Sequence, residues 1–566
     1  MMEKNTELMA VAAPVSTGDN IYPNLPYSSA MGAGIQEKEN ALRAGGAACQ
    51  KPQAKPEHIG RIAPASFLYA IFFTFCLYKN ASGITYPFYV AGTIGFAVYT
   101  IRKSGISWKG EHILALAGSL LLGASNCFTD NTKIILMNEA WLFVLMMYFL
   151  LAVYFDTRGW QFGKFLSSIL GLFTLSFGKM FSFFPDAQAW VEEHKGTKNT
   201  QALYALAGAG ISIPLIAVVL VMLSSADIIF RESMDAIFGR VDGWDVFCCI
   251  FWSVAIFFFS YGMASLLQER GLKESVKDYR TGQPVIAVSA TAVIALIYIY
   301  FCVIQVVYLF AGYGKLPEGY TYAQYARQGF FQLLFICLMN LVIVLIGLGF
   351  FRESRVLKGI LLVISLCTFV MIASSAYRML LYISVYQLTF LRIFVLWALL
   401  VIALLMAGIV GKTLRNAFPL FRYGLFVISC CYLVLSFGQP DYWIARYNIS
   451  AYVKQEKEMA SAAGQAGEEN AAEQAGESRG GYTVDTWYLR NLSADAAPVI
   501  MTEGSIERYL DYEAEKEKWM KGEVKDLYTP TWDVAYIERQ KDRADEMSIR
   551  SFNFSRGHVR KALKGK

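Results

Sequence analysis

The chain reads as an all-α polytopic membrane protein: a bundle of transmembrane helices followed by a small, mainly helical region outside the membrane. Between Ile62 and Gly438, apolar stretches follow one another, most of them long enough to cross a bilayer as a helix. The short loops between them carry most of the Lys and Arg. Composition agrees, since 55% of the 566 residues are hydrophobic and only 17% are charged, with a mean hydropathy of +0.38. A soluble chain of this length would divide into several domains with far more charge. Helix is the form such stretches must take, because lipid offers no partner to an unpaired backbone N–H or C=O.

Residues 1–61 are rich in Ala, Gly, Pro and charge without sustained periodicity, and are expected to form a disordered tail. They lack the apolar core of a signal peptide, so insertion is expected to rest on the first span. Spans are predicted at 62–78, 82–101, 112–128, 134–154, 202–222, 246–267, 284–313, 328–351, 359–377, 391–411 and 421–438, making 62–438 the membrane domain. The stretch Phe165–Gly178, bracketed by Lys164 and Lys179, is short for a crossing and reads as re-entrant or interfacial. The bundle then has eleven spans, or twelve if 165–185 crosses.

Charge decides between these counts. With eleven spans and a cytoplasmic N-terminus, the inner loops hold the basic groups around Arg102, Lys109, Lys164, Arg270, Lys277, Arg352, Lys358, Lys412 and Arg422. The outer side keeps Lys79, Lys133, Arg231, Arg240, Lys315, Arg327, Arg378 and Arg392, fewer and more scattered. Cytoplasmic loops carry the excess of Lys and Arg, so eleven spans with an extracytoplasmic C-terminus is the expectation.

Hydropathy falls after Gly438. Residues 439–566 begin with an aromatic run, Tyr442 to Asn448, of the kind found at headgroup level. The Ala/Gly/Glu/Gln stretch 455–481 reads as a flexible insertion, and 483–560 as a small helical domain. The formal charge of +6 is small and sits at helix ends, which argues for control of topology and against nucleic-acid binding. Four scattered His residues offer no metal-ligand spacing, none of the ten Cys lies in the polar C-terminal region, and neither metal nor cofactor is expected.

An ionised group at membrane depth is costly unless it pairs, snorkels or faces water, so the intramembrane polar residues are the candidates for function. Asn126, Asp130, Asn138 and Glu139 surround the outer turn between the third and fourth spans. Asp227 follows the fifth, and Arg378 and Arg392 flank the outer turn between the ninth and tenth. One reading is an outward-facing polar site in which Arg378 holds an anion or pairs with Glu139 or Asp227, a role its planar fork suits. The other is structural: snorkelling arginines and acids that cap helix ends. Gln305 and Asn340, placed near the middle of the seventh and eighth spans, suit hydrogen bonds between helices.

Tyr377-Arg378-Met379-Leu380-Leu381-Tyr382, continuing through Tyr386-Gln387-Leu388-Thr389-Phe390-Leu391-Arg392, together with the Ser225–Phe230 run, resembles a segment of bacterial membrane proteins grouped as domain of unknown function family 4173, related to family 4153. Ile444-Ala445-Arg446-Tyr447-Asn448-Ile449, Val484-Asp485-Thr486-Trp487-Tyr488-Leu489 and Leu492-Ser493-Ala494-Asp495-Ala496-Ala497-Pro498 resemble its C-terminal signature. The resemblance implies a bacterial cell membrane and no assigned reaction, and it directs attention to Asp227, Arg378, Arg392, Arg446, Asp485 and Asp495. The chain departs from that pattern where Gln387 replaces a Gly, and where the Ala/Gly/Glu insertion separates two C-terminal motifs.

Three functions fit. A non-enzymatic envelope protein that binds a partner or senses a condition through its exterior domain is the first, since no phosphate loop, zinc helix or nucleophile elbow is present. A transporter or flippase for an anionic solute or lipid is the second. A membrane-embedded transferase using a lipid-linked donor, with Glu139 or Asp227 as base, is the third. The bilayer is the expected partner in all three, with another membrane or envelope protein added in the first.

Overall fold

In the computed structural model, residues 59–80, 82–106, 112–157, 159–193, 222–238, 243–269, 280–307, 329–465 and 485–565 are described, with isolated positions between 208 and 220. Among them every regular element is a helix. The membrane region comprises α1 (Ile59–Leu77), α2 (Thr85–Lys103), α3 (Ile113–Phe128), α4 (Thr132–Tyr154), α5 (Phe162–Lys179), α6 (Phe183–Glu193), α7 (Ile228–Phe238), α8 (Gly243–Gln268), α9 (Pro284–Gln305), α10 (Phe330–Phe350), α11 (Arg355–Tyr386), α12 (Phe390–Leu414) and α13 (Leu420–Phe437). Beyond it lie α14 (Pro440–Gln465), α15 (Thr486–Arg490), α16 (Ala497–Ile500), α17 (Glu503–Met520), α18 (Trp532–Asp545) and α19 (Phe554–Lys564).

Local chemistry sets the boundaries. Asn131 accepts from the backbone N–H groups of Lys133 and Ile134 to start α4, Ser354 accepts from that of Leu357 to start α11, and Pro284 opens α9 where no N–H is needed. The end of α11 is unusual. Gln387 adopts φ 67°, ψ −178°, a conformation reserved almost entirely for glycine. The Gly expected there from the family pattern therefore has a steric reason, and glutamine bears strain.

Among the described residues nine helices are long and apolar enough to cross a membrane; α3 is apolar but shorter. Their outer faces expose bulky apolar side chains, as lipid-facing helices must: Leu68 is 68% exposed and Val434 74%. The contacts between helix ends give each helix its direction. At one end, Ile84 before α2 bonds Phe552, Ser125 of α3 meets Ser436 of α13, and Lys79 after α1 pairs with Asp245 of α8 at 2.6 Å. Phe390 at the start of α12 joins the same end through Tyr488. At the other end, Gly282 before α9 bonds Phe350 and Arg352, and Lys358 of α11 reaches Asn416 beyond α12. Arg102, Lys103, Arg352, Arg355, Lys358, Lys412 and Arg422 all belong to this second, basic end.

The segment 162–193 departs from the expectation of a short apolar stretch. It is helical over α5 and α6 with a 3-10 turn at Met180–Ser182 between them, and by length and composition it is among the nine. Packing nevertheless brings both its ends to the basic end. Phe162 lies 5.2 Å from Phe421 at the start of α13, and Trp190 lies against Gly60 at the start of α1. Lys179, near the turn, pairs at 2.7 Å with Glu269, just past the end of α8. The close approach depends on Gly262, where a Cβ would meet the backbone of Lys179 and Met180 at 3.0 Å.

Two other expectations need adjustment, those for the insertion and for Gln305. Most of the 202–222 span, residues 1–58 and 466–481 lie outside the described residues. The insertion expected to be flexible from residue 455 instead begins as helix, because α14 continues to Gln465. Gln305 sits in the last turn of α9 as described, bonded to Ser374 and Arg378 of α11, whereas Asn340 is central as predicted. Asn340 accepts from Tyr298 at 2.8 Å and donates to Thr368 at 3.0 Å, tying α9, α10 and α11 together.

Candidate functional site

Between the third and fourth membrane helices the chain has only Thr129, Asp130 and Asn131 to turn with. The last turn of α3 ends in carbonyls that the helix itself cannot satisfy. Residues more than four hundred positions away satisfy them. The Asn553 side chain donates to the carbonyls of Thr129 (2.8 Å) and Asn126 (3.3 Å), and the Ser555 hydroxyl donates to that of Phe128 (2.8 Å). Asn553 also caps α19, accepting from the Ser555 and Arg556 N–H groups. Phe128 and Phe554 stack alongside, 4.9 Å apart.

Asp130 is the keystone of this seam. Its carboxylate is fully buried and pairs with Arg556 at 2.7 Å and Arg543 at 2.8 Å. It also accepts from the Ala494 N–H at 3.3 Å. The Asp130 N–H donates to Asp495 at 2.7 Å, and the Thr129 hydroxyl donates to the other oxygen of Asp495 at 2.6 Å. Burial pushes the Asp495 carboxyl up to about 6, more than the bonds from Thr129, Ser555 and Asp130 pull it down. A third buried acid, Asp441 at the start of α14, accepts from the Ser493 N–H at 3.0 Å.

The motif Leu492–Pro498 thus forms part of this seam. Its small residues, Ala494, Ala496 and Ala497, are buried and let the chain lie close beneath α18. From α18, Tyr536 donates to the Ser493 carbonyl at 2.7 Å and Gln540 to that of Leu492 at 3.0 Å. The apolar core crosses the seam without a break: Leu122, Ile134 and Tyr432 of the membrane helices belong to one cluster with Leu492, Ile506, Tyr536 and Val559. Two further turns are held by the same region. Arg550 donates to the Tyr78 carbonyl at 2.7 Å and its own carbonyl accepts from Asn80 and Thr85. Asn448 of α14 bonds both backbone groups of Leu388, at 2.8 and 2.9 Å.

The polar groups predicted to form one outer cluster are thus divided. Asn126 and Asp130 join Asp495 in the seam, and Asn126 meets Asn138 at 2.6 Å, which in turn accepts from Tyr432 and Ser436. Glu139 lies half-buried further along α4. Asp227 is exposed and accepts from the Phe230 N–H at 2.8 Å, the capping role of the structural reading. Arg378, predicted to flank the outer turn, is instead buried inside α11, because that helix continues to Tyr386; there it donates to Gln305 at 3.4 Å and lies close to Gly329, which has φ 97°. Arg392 stacks on Tyr382 at 4.4 Å and donates to the carbonyls of Tyr386 and Gln387 in its own turn. Asp485 caps α15. Arg446 lies over Trp443 at 5.6 Å on the surface.

The residues that complete the site, Arg543, Asn553 and Arg556, escaped sequence reasoning because nothing local links them to Asp130. Asn553-Phe554-Ser555-Arg556 does carry the cap of a helix start, which was the available signal. Among the described residues no group of His, Cys, Asp and Glu is arranged to hold a metal.

Comparison with curated proteins and with solved structures returns no match. The model of one family does match, over residues 114–502, a span that runs from α3 past α16 and contains Asp130, Arg378, Arg392, Asp441 and Asp495. Of the two families named from the motifs, the match shows the second: the chain belongs to the family described as Domain of unknown function (DUF4153).

Proposed function

We propose that the protein is a non-enzymatic component of the bacterial envelope, which binds a partner through the C-terminal region fastened to its membrane bundle. In this reading the basic end is cytoplasmic, by the charge rule for membrane loops, and the seam with residues 485–565 lies outside. The observation that carries the reading is Asp130. The acid best placed for chemistry or transport at the outer end is wholly engaged by two arginines of the C-terminal region. A polar centre used in this way fixes one domain on another. The amide nearest the middle of the bundle, Asn340, is likewise engaged between helices, whereas a transporter places binding groups there for its substrate. Trp487, 71% exposed on α15, supplies a surface of the kind partners anchor on.

A photocrosslinking residue at Trp487 in cells tests this. A protein adduct that forms in stoichiometric yield and is lost in Asp130→Asn is the expected result. Absence of any protein adduct, with anion uptake into vesicles that Arg378→Ala abolishes, would replace this reading by transport.

A further inference from the structure

At the basic end, a pocket opens between the end of α10, the start of α11 and the end of α12. Arg280, Arg352, Lys358 and Lys412 line it, with Glu353 as the carboxylate among its lining residues and Asn416 beside them. Its floor is apolar, formed by side chains such as Leu357 and Leu361, which are buried. Glu353 is already engaged, taking Arg280 at 2.7 Å and Lys358 at 3.2 Å. Lys358 holds it below the ordinary carboxylate range, first by hydrogen bonding, with Arg280 adding to the effect. Lys412 donates to the Asn416 carbonyl, a neutral partner. The Arg352 side chain makes no hydrogen bond among the described residues and is exposed. The lining thus carries more positive charge than its acid offsets, and like charges held together in a partly apolar site repel.

From this geometry we infer that the pocket binds the phosphate headgroup of an anionic phospholipid. Arginine and lysine are the side chains that recognise phosphate, one by a planar fork and the other as a point charge. Basic pockets between helix ends are a known way of holding anionic headgroups. A lipid is favoured over a free anion by what flanks the pocket. Phe350 at the end of α10 is 48% exposed and Leu414 at the end of α12 is 69% exposed, so an acyl chain has apolar surface to follow away from the cations. The site lies at the opposite end of the bundle from the seam and is independent of it.

The test uses the full-length protein in nanodiscs of equal parts phosphatidylglycerol and phosphatidylcholine, followed by detergent extraction and native mass spectrometry. The wild type will retain phosphatidylglycerol in preference to phosphatidylcholine. Each cation near such a surface contributes about 1 kcal/mol, so Arg352→Gln will lower that retention about fivefold and Arg352→Gln/Lys412→Gln further. Arg102→Gln/Lys103→Gln, which neutralises two cations at the same end but outside the pocket, will leave it unchanged. Should the double pocket variant fail to fold, the single one decides. An equal loss in the Arg102/Lys103 control would overturn the proposal, as would equal retention of the two lipids by the wild type. Saturable binding of inorganic phosphate, lost in Arg352→Gln while lipid retention is unaffected, would overturn it in favour of a soluble anion.

Discussion

The turn between α3 and α4 and the turn between α11 and α12 lie at the same end of the bundle and both carry charge, yet they end in opposite states. Asp130 in the first is completely buried and draws two arginines from the C-terminal region. Arg392, just after the second, remains partly in contact with solvent and is satisfied by carbonyls of its own turn and by Tyr382. The C-terminal region touches both turns, but it holds the second through backbone groups of Leu388 and Phe390, using Asn448 and Tyr488. Charge at a helix end therefore says little about its role. What is packed on top decides whether that charge becomes a fastening or a surface group.

The sharpest way to break the contrast is Asp130→Ala. It leaves two arginines facing a buried site without their anion, which costs about 3–5 kcal/mol. Hydrogen exchange across 485–565 will show the region released while α9 to α12 stay protected. Protection equal to wild type would remove Asp130 as the keystone.

A smaller effect comes from pH. The Asp495 carboxyl is raised from 3.8 to about 6 in the docked state, so that state holds its proton more tightly than the undocked one. The contribution of Asp495 to docking is fully present below about pH 4 and is lost as pH rises through about 6, about 2–3 kcal/mol in all. Asp533, pulled below its ordinary value by Thr531 and Arg508 against the effect of its burial, works in the other direction. The measurement is therefore the difference between wild type and Asp495→Asn in thermal midpoint from pH 4 to pH 8. A difference that is flat across this range would refute the shift.

At the second turn, Gln387→Gly will stabilise the protein by about 1 kcal/mol by relieving the positive φ, less the entropy glycine adds to the unfolded chain. A lowered melting temperature in detergent would show that the Gln387 side chain makes a compensating contact. Smallest is Arg392→Ala, expected at about 1 kcal/mol, since one partly exposed cation stacked on a ring and bonded only within its own turn is lost. A loss as large as that of Asp130→Ala would erase the distinction between the two turns.

How much of this was legible beforehand varied with the range of the interactions. The helices followed from apolar runs, because lipid requires each segment to close its own hydrogen bonds. The glycine-like position at Gln387 was legible only through the family pattern, whereas the capping acids Asp227 and Asp485 are local features that could be read from their neighbours. The grouping of Glu139, Asp227 and Arg378 into one site could not, because a shared depth in the membrane leaves the position around the bundle open. The partners of Asp130 lay beyond reach for the same reason: residues 543 and 556 meet it only once α18 and α19 have packed on each other and on the chain around residues 492–496.

The segment 162–193 bears on the order of assembly at the ribosome. Phe162 rests on Phe421, Lys179 on Glu269 and Ser176 beside Gly262, all of them synthesised later. When this segment emerges, α1 is already present to receive Trp190, but the surfaces that seat Phe162 and Lys179 do not yet exist. Its final position is therefore completed late in biogenesis, after α8 and α13 have entered the membrane, and a nascent chain stopped before α8 would present Lys179 without Glu269 and an α5 seated on α4 but not on α8 or α13.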